Sequence, residues 1–319
     1  MISLKNIKLN DISASDISNE YVYYQSSADE HKFQMAEDEE FYLGLQLTRA
    51  QKDYLVSVGQ PPEANNKIRP AVEQVLSNVA GASPEWDVRP TGKTDSEVAF
   101  VYNKLLDKIW YESDGDRHFR TIVKDYTIKG LGYMYVYPDW QAEQGRGGIK
   151  VKRVAPENMY VDPNSTDPFF RDAASIMLSD TSTKESMKVM FPEHANEIED
   201  AHEDYRDDDY ATSKYNRDDI IRRSDVNDDG QPKVRRFIRW SKVSEEQILL
   251  TDKLTKRQKS FNKEQYDEFK STKRYRAYIQ NNQVEEEKIF ITRVRESFVI
   301  GDALIYDIVL PLEDYPIVP

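Results

Sequence analysis

The segment closest to a catalytic motif is residues 91–94, which read Thr-Gly-Lys-Thr. They lie between a predicted strand and a predicted helix, which is where a phosphate-binding loop belongs. The full motif also needs a glycine five residues before Gly92, because backbone amides must curl around the phosphate. That position is Asp87, and Pro90 has no amide hydrogen to donate. We therefore interpret the segment as a turn, after which Asp95 caps the next helix.

A second segment, residues 225–230, begins like a calcium-binding loop. Its first, third and fifth residues carry side-chain oxygens, and its sixth residue is Gly230, as such a loop requires. The twelfth position requires a bidentate glutamate but is Arg236, and Pro232 disfavours the loop conformation. The sequence therefore favours a plain turn before a strand, with a weak cation site as the alternative.

The remaining titratable residues form no motif that predicts catalysis. The chain has no cysteine, which excludes disulfides, thiolate zinc sites and cysteine nucleophiles. Its four histidines lack the spacing of zinc ligands on one helix face. Its many carboxylates could form a two-metal nuclease site only if they converged in space, with Asp162, Asp225 and Asp229 as the residues to test. We predict no catalytic residue, no cofactor and no resident metal.

One cluster of cations could face a polyanion, and we call it the basic patch. It consists of Arg235, Arg236, Arg239 and Lys242. Two aromatic residues interleave with these cations on a predicted strand, a pattern typical of nucleic-acid-binding surfaces. The exposed face of an ordinary strand would show the same pattern. Both interpretations stay open: a surface that faces DNA or an adaptor protein, and a solvated strand.

Composition narrows the function classes further. The 319 residues carry a formal net charge of −13, with 39% hydrophobic and 32% charged residues. Because proteins that grip nucleic acid are usually basic, this charge argues against tight, static DNA binding. Two classes remain open: a channel protein in which DNA slides past a repulsive wall, and an ordinary acidic globular protein.

The sequence also lacks the signals of membrane association. No apolar run approaches the ~20 residues of a membrane span, and no apolar leader follows Met1, so we expect a soluble, unsecreted chain without membrane association.

Hydrophobic periodicity predicts an α+β fold, in which a run of helices precedes a small antiparallel sheet and then a mixed β-rich region. An asparagine at 65 or 66 caps the central helix. The apolar stripe of that helix is Ile68, Val72, Val75, Leu76 and Val79. Residues 86–90 then alternate as a short edge strand would. The next helix has the predicted inner face Val98, Val101, Tyr102, Leu105 and Ile109.

After a third helix, from Asp116 to about Lys129, the pattern changes from helical to alternating. The first predicted strands are residues 133–137, 149–154, 159–161 and 175–178. A charged helix is predicted at 264–273. The later predicted strands are residues 234–240, 289–294, 297–300 and 303–306.

The order of several short motifs resembles that of the portal proteins of tailed bacteriophages, most closely the large portals of short-tailed phages. The motifs are Gly-Leu-Gln-Leu-Thr-Arg at 44–49, Gly-Gln-Pro-Pro at 59–62, Asn-Asn-Lys-Ile-Arg-Pro at 65–70, Trp-Asp-Val-Arg-Pro at 86–90, Gly-Leu-Gly at 130–132, Val-Asp-Pro at 161–163 and Tyr-Pro-Ile-Val-Pro at 315–319. Leu47 stands where that family usually has tryptophan. The ordered series touches most of the chain, which resembles the N-terminal part of such a portal.

The resemblance implies a structural channel protein, in which twelve copies form a ring at one capsid vertex of the virion. A terminase motor on another polypeptide would pump double-stranded DNA through the ring, and the DNA would pass without specific binding. Head-completion or tail adaptor proteins would bind afterwards, and the major capsid protein would surround the ring. Assembly would take place in the host cytoplasm. A motor on a separate chain agrees with the incomplete phosphate loop.

The resemblance and the composition together divide the chain into four regions. Residues 1–27 are predicted to be an N-terminal arm, either disordered or packed on a neighbouring subunit. Residues 28–182 form the wing-like α+β domain, and residues 183–230 form a helical and acidic connector. Residues 231–319 form the mixed β-rich region, which is either the clip or more of the wing.

Two other function classes compete with the channel. The first is a metal-dependent enzyme that acts on nucleic acid through scattered aspartates and glutamates. The second is an acidic adaptor or scaffold protein of a virion, with no channel. Nuclease and ATPase assays would reveal the first, and imaging would show the second as a protein that forms no ring.

Overall fold

The structure is a computed structural model that describes residues 12–79, 81, 83–90, 92, 95–139, 142–201, 232–253, 258–271 and 284–319. Its helices are α1 (Ala14–Leu43), α2 (Arg49–Ser57), α3 (Ile68–Val79), α4 (Ser96–Glu112), α5 (Gly115–Lys129), α6 (Ala142–Gly145), α7 (Lys184–Met190), α8 (Ala195–Asp200) and α9 (Lys263–Ser271). Its strands are β1 (Tyr133–Asp139), β2 (Gly148–Val154), β3 (Met159–Val161), β4 (Ser175–Thr183), β5 (Lys233–Asp252), β6 (Gln258–Phe261), β7 (Val284–Ile300), β8 (Ala303–Leu310) and β9 (Ile317–Val318). This confirms the predicted α+β class.

The strands form two antiparallel sheets. The smaller sheet has the order β2-β1-β9, and the larger has the order β3-β4-β5-β7-β8, with β6 also paired to β5. The strands predicted at 133–137 and 149–154 are confirmed as β1 and β2, which pair antiparallel with Tyr133 opposite Val154. The two sheets share one apolar core, which includes Tyr135 from β1, Trp240 from β5 and Ile317 from β9. The last strand therefore closes the small sheet onto the large one.

Strands β5 and β7 are much longer than their neighbours and continue beyond β4 and β8 as a long ribbon. They pair from Arg236 opposite Ile300 to Asp252 opposite Val284. Strand β4 covers β5 only as far as Ser241, so the rest of β5 pairs with β7 and β6. Helix α9 closes the far end of the ribbon through a small apolar cluster. The two strands predicted at 289–294 and 297–300 are thus one continuous strand.

Helix α1 extends through a region that the sequence assigned to a loosely held arm. It begins after Ser13, whose side chain forms a capping box with Asp16, and it ends at Gly44 in a left-handed conformation (φ 92°). Ile17 and Tyr21 of this helix are buried against the large sheet. The arm prediction is wrong for residues 14–27, because they form the first part of α1 and their buried side chains pack on the sheet of the same subunit. Residues 1–11 lie outside the described part of the chain.

The large sheet joins regions that the sequence placed in different domains. Strand β4 comes from the predicted wing-like domain, and β5 comes from the region after the acidic connector. They pair directly, from Ser175 opposite Ser241 to Thr183 opposite Lys233. The connector itself contributes α7 and α8, and its residues 202–230 lie outside the described part. Strands on either side of the connector therefore belong to one sheet.

Two local predictions have contrasting outcomes. The cap of α3 is confirmed, because the Asn66 Oδ1 accepts hydrogen bonds from the amides of Ile68 (3.1 Å) and Arg69 (3.2 Å). Residues 86–90 form no strand, however. The Val88 amide donates to the Asn103 side chain of α4 (2.8 Å), so its hydrogen-bond partner is a helix side chain and not a second strand.

No helix in the described part of the chain combines the length and hydropathy needed to span a membrane.

Candidate functional site

The basic patch lies on β5, and two of its arginines form ion pairs within the subunit. Arg236 forms a two-pronged pair with the carboxylate of Asp180 on β4. The hydrogen bond with Asp180 raises the pKa of Arg236. Arg239 reaches helix α1, where its Nε donates to Glu20 Oε2 at 2.6 Å. Both cations are therefore paired with carboxylates of neighbouring elements.

The other two cations of the patch also contact groups of the same chain. The Arg235 guanidinium donates to the Tyr21 hydroxyl on α1 at 2.7 Å. The Lys242 ammonium donates to the backbone carbonyl of Arg171 at 2.6 Å and lies 5.3 Å from the centre of the Tyr315 ring. The patch thus binds β5 to α1, to β4 and to two loops. A role toward DNA or an adaptor protein stays a prediction, and these contacts favour a structural role.

Sequence reasoning missed a second set of buried ion pairs, which fix α5. The Lys129 ammonium lies 3.0 Å from Glu39 Oε2 on α1 and also contacts Glu157. Burial alone would lower the pKa of Lys129, but the two carboxylates raise it. Arg153 of β2 pairs with Asp125 of α5 in the same way. No local pattern reveals these pairs, because the partners are far apart in the chain.

The candidate chemical motifs provide no assembled site in the described part. Within those residues, no three histidines or carboxylates are grouped to hold a metal ion. The carboxylate of Asp162 instead closes a loop, by accepting hydrogen bonds from the amides of Asn164 (2.9 Å) and Ala174 (3.1 Å). Burial opposes its ionisation, but these hydrogen bonds lower the pKa of Asp162. The calcium-like segment at 225–230 lies outside the described residues.

The phosphate-loop candidate is only partly described, since Gly92 is its one described residue. Asp95 directly precedes α4, at the position the sequence assigned to it. Its side chain makes no capping hydrogen bond to the helix, however.

Helices α2, α3 and α4, which we call the helical layer, differ from the sheets because many of their apolar side chains are exposed. The predicted inner face of α4 is wrong. Val98, Val101, Tyr102 and Leu105 are 53%, 62%, 53% and 44% exposed. On α3 only part of the predicted stripe is covered. Val72 and Leu76 are buried, whereas the exposed members of that stripe are Ile68, Val75 and Val79.

Comparison with known proteins places this architecture in a family. A family model described as Phage P22-like portal protein matches residues 19–319. The match runs from helix α1 to the end of the chain and therefore includes both sheets and the helical layer. A comparison with curated proteins found no match.

The match confirms the resemblance to the portals of short-tailed phages. Portals of this kind are structural proteins of the virion that form an oligomeric ring at a capsid vertex, with capsid and terminase proteins as partners. The matched region covers more than nine-tenths of the sequence, because only the first eighteen residues lie outside it. The chain therefore belongs to the P22-like phage portal protein family, and its function is that of a structural portal in phage DNA packaging.

Proposed function

We propose that twelve copies of this chain close into one ring at a capsid vertex, and that double-stranded DNA passes through the ring in both packaging and ejection. The observation that carries the proposal is the family match over residues 19–319. The terminase motor is a separate polypeptide that docks on the ring during packaging. Head-completion or tail adaptor proteins replace it afterwards, and the ring assembles in the host cytoplasm before it enters the virion.

The ring acts mechanically, without making or breaking bonds. Its net negative charge of −13 per subunit repels the phosphates, so that DNA slides instead of adhering. The contacts of the basic patch support this proposal. Arg236 and Arg239 are paired with carboxylates of the subunit itself, which reduces the positive charge that they can offer to DNA. Passage without specific binding therefore suits both the overall charge and its local distribution.

We assign the parts of the portal subunit as follows. Residues 28–182 form the wing. Residues 231–319, which include the β5–β7 ribbon, are either the clip or more of the wing. The direct pairing of β4 with β5 favours the wing, because one sheet then contains strands of both regions.

Electron microscopy of the purified complete gene product tests the proposal. We expect ring-shaped particles with a central channel, and class averages with twelvefold symmetry. The same preparation, assayed with magnesium, should neither cleave DNA nor hydrolyse ATP. Homogeneous monomers under conditions in which related rings assemble would contradict the proposal. Nuclease activity that is lost in an Asp162→Asn variant would also contradict it.

A further inference from the structure

Helix α4 carries an apolar face that nothing in the described part of the chain covers. Val98, Val101, Tyr102 and Leu105 follow the spacing i, i+3, i+4, i+7, and all four are exposed. At 3.6 residues per turn, this spacing places them within an arc of about 100°. We call this face the α4 stripe. Such spacing is what a helix needs to bury one face against a partner.

A different face of α4 attaches the helix to its own subunit. Ala99 and Trp110 are buried, and Asn103 holds the backbone of Val88. The Trp110 indole donates to the Asp116 carboxylate at 2.8 Å, and its ring lies 5.5 Å from that of Trp86. This attached face is about 120° around the helix from the α4 stripe. Rotating α4 to cover the stripe would therefore break these contacts.

The size of the α4 stripe fits a protein interface. Its four side chains expose on the order of 400 Å², which matches the largest apolar patch of a typical monomer, and such patches are often functional. One partner of a standard interface contributes about 800 Å². The stripe therefore supplies about half of one side. Lys108 and Glu112 lie along its edge and pair with each other at 3.6 Å, which resembles the polar rim of an interface.

We infer that the α4 stripe is a subunit interface, and that its occupant is a second copy of this chain. The inference rests on the proposed ring. In a ring, each subunit presents one face to a different face of the next copy, so every subunit keeps two surfaces free for its neighbours, and an exposed apolar stripe suits the buried centre of such a contact. An apolar stripe offers no charge to phosphate groups, which excludes DNA as the natural occupant. The α4 stripe is thus the surface by which one subunit of the ring contacts the next subunit.

Thiol protection in the assembled ring tests this interface directly. Because these 319 residues contain no cysteine, Val101→Cys introduces the one thiol of this part of the chain. Any cysteine elsewhere in the complete gene product is first replaced by serine. We expect a maleimide dye to label this thiol at least tenfold more slowly in the ring than in dissociated subunits. The matched control is Tyr111→Cys, since Tyr111 is 86% exposed on the same helix but lies off the stripe. It should be labelled at equal rates in both states.

Photo-crosslinking identifies the occupant. A benzophenone maleimide attached at Val101→Cys should yield, after irradiation of the ring, a covalent dimer of this chain with the crosslink in another copy. Crosslinks confined to one chain, or formed with capsid or terminase protein in particles, would overturn the assignment. So would equal labelling of Val101→Cys in ring and subunit, or equal protection of both cysteines. If the unmodified protein forms no ring at all, the proposed function itself fails.

Charge insertion provides an independent readout. The double variant Val101→Glu with Leu105→Glu should prevent ring formation, because it places carboxylates inside the contact. The variant Tyr111→Glu should assemble like the unmodified protein. Circular dichroism and thermal unfolding of the double variant should match those of dissociated unmodified subunits, since both changed residues are exposed in the monomer. A double variant that is folded and still forms rings would overturn the inference.

Discussion

The sheets with α1 and the helical layer with α2, α3 and α4 differ in what covers their apolar side chains. In the sheets, clusters of fully buried residues such as Trp240, Ile176 and Val294 form a continuous core. In the helical layer, α2 has no buried residue and α3 has two. One part of the molecule is therefore stabilised by its own contacts. The other part has apolar side chains that stay exposed among the described residues.

Buried ion pairs strengthen this contrast. Glu20 of α1 contacts Arg239 and Ser175, and it accepts a hydrogen bond from Tyr24 at 3.1 Å. The Tyr24 hydroxyl is also 2.8 Å from the Ser175 hydroxyl on β4. These bonds fix the position of α1 along the sheet, because a charge in a partly buried site needs its partners in a defined geometry. The ion pairs of α4 lie at the surface instead, as Lys104 with Asp107 shows.

We expect the greatest difference in stability between the substitution of a buried tryptophan of the sheets and that of an exposed tryptophan near α4. Trp240 is fully buried and donates from its indole to Glu296 at 2.6 Å. We expect Trp240→Ala to reduce the free energy of unfolding by about 4 kcal/mol or more, because it leaves a cavity and removes the indole hydrogen bond from the Glu296 carboxylate, which keeps only that from Tyr306. The matched change Trp86→Ala, in the segment that packs on Trp110 of α4, should cost about 1 kcal/mol, since Trp86 is 43% exposed. Chemical denaturation measures both, and equal losses would contradict the contrast.

The ion pair between Arg239 and Glu20 should give the next largest effect. We expect Arg239→Met to reduce the free energy of unfolding by about 3 kcal/mol, because the Glu20 carboxylate keeps its partly buried position without its cation. The control is Lys288→Met, which removes an exposed cation from its pair with Glu246. The denaturation midpoint of the control should not change measurably. If Arg239→Met left the free energy of unfolding unchanged, this ion pair would not be what holds α1 on the sheet.

Two neighbours on α3 sharpen the contrast within one helix. Leu76 is buried against α1 and α5, whereas Val75 is exposed. We expect Leu76→Ala to lower the free energy of unfolding of the isolated subunit by about 2–3 kcal/mol, through a lost contact and a residual cavity. Val75→Ala should change it by less than about 0.5 kcal/mol. Comparable losses at both positions would mean that the exposed part of the α3 stripe is covered in the free subunit.

The weakest of these effects is a change in the free energy of unfolding with pH, which comes from Tyr133 in the core that the two sheets share. Burial raises the pKa of Tyr133 to about 12, from an ordinary value of about 10. Because the folded state favours the neutral phenol, the associated stability is fully present below pH 10 and is lost as the pH rises toward 12. At pH 11 this single group accounts for a loss of about 1.4 kcal/mol.

Between pH 8 and pH 11, the free energy of unfolding should therefore fall by about 1.4 kcal/mol less in the variant Tyr133→Phe than in the unmodified protein. Denaturation at the two pH values measures the difference. An identical fall in both proteins would show that the Tyr133 phenol does not contribute. Burial also raises the pKa of Tyr135 and Tyr306 in the folded protein. The ionisation of these two phenols should therefore still lower the free energy of unfolding of the variant as the pH rises.

Sequence reasoning succeeded where neighbouring residues determine the structure. The Asn66 cap and the neighbouring strands β1 and β2 depend on contacts within a short stretch of chain. It failed for the inner face of α4, because periodicity reveals an apolar face but not which molecule covers it. The core of a subunit and the surface of a neighbour require the same spacing.

Long-range pairing explains the other failures. The partners of the basic patch lie far away in the chain, since Asp180 is 56 residues from Arg236 and Glu20 is 219 residues from Arg239. A local pattern of cations and aromatic residues therefore cannot show whether the cations face solvent or carboxylates. The α1 prediction failed for the same reason, because the sheet that covers Ile17 and Tyr21 is built from strands much later in the chain.

We infer that the sheets form the stable body of the subunit, and that the exposed apolar side chains of the helical layer bring copies of the chain together as a portal ring. Native mass spectrometry of the complete gene product counts the copies in one particle. We expect one dominant species of twelve copies for the unmodified protein, and folded monomers for the double variant Val101→Glu with Leu105→Glu. A monomeric unmodified protein at micromolar concentration would show that the chain does not form this ring.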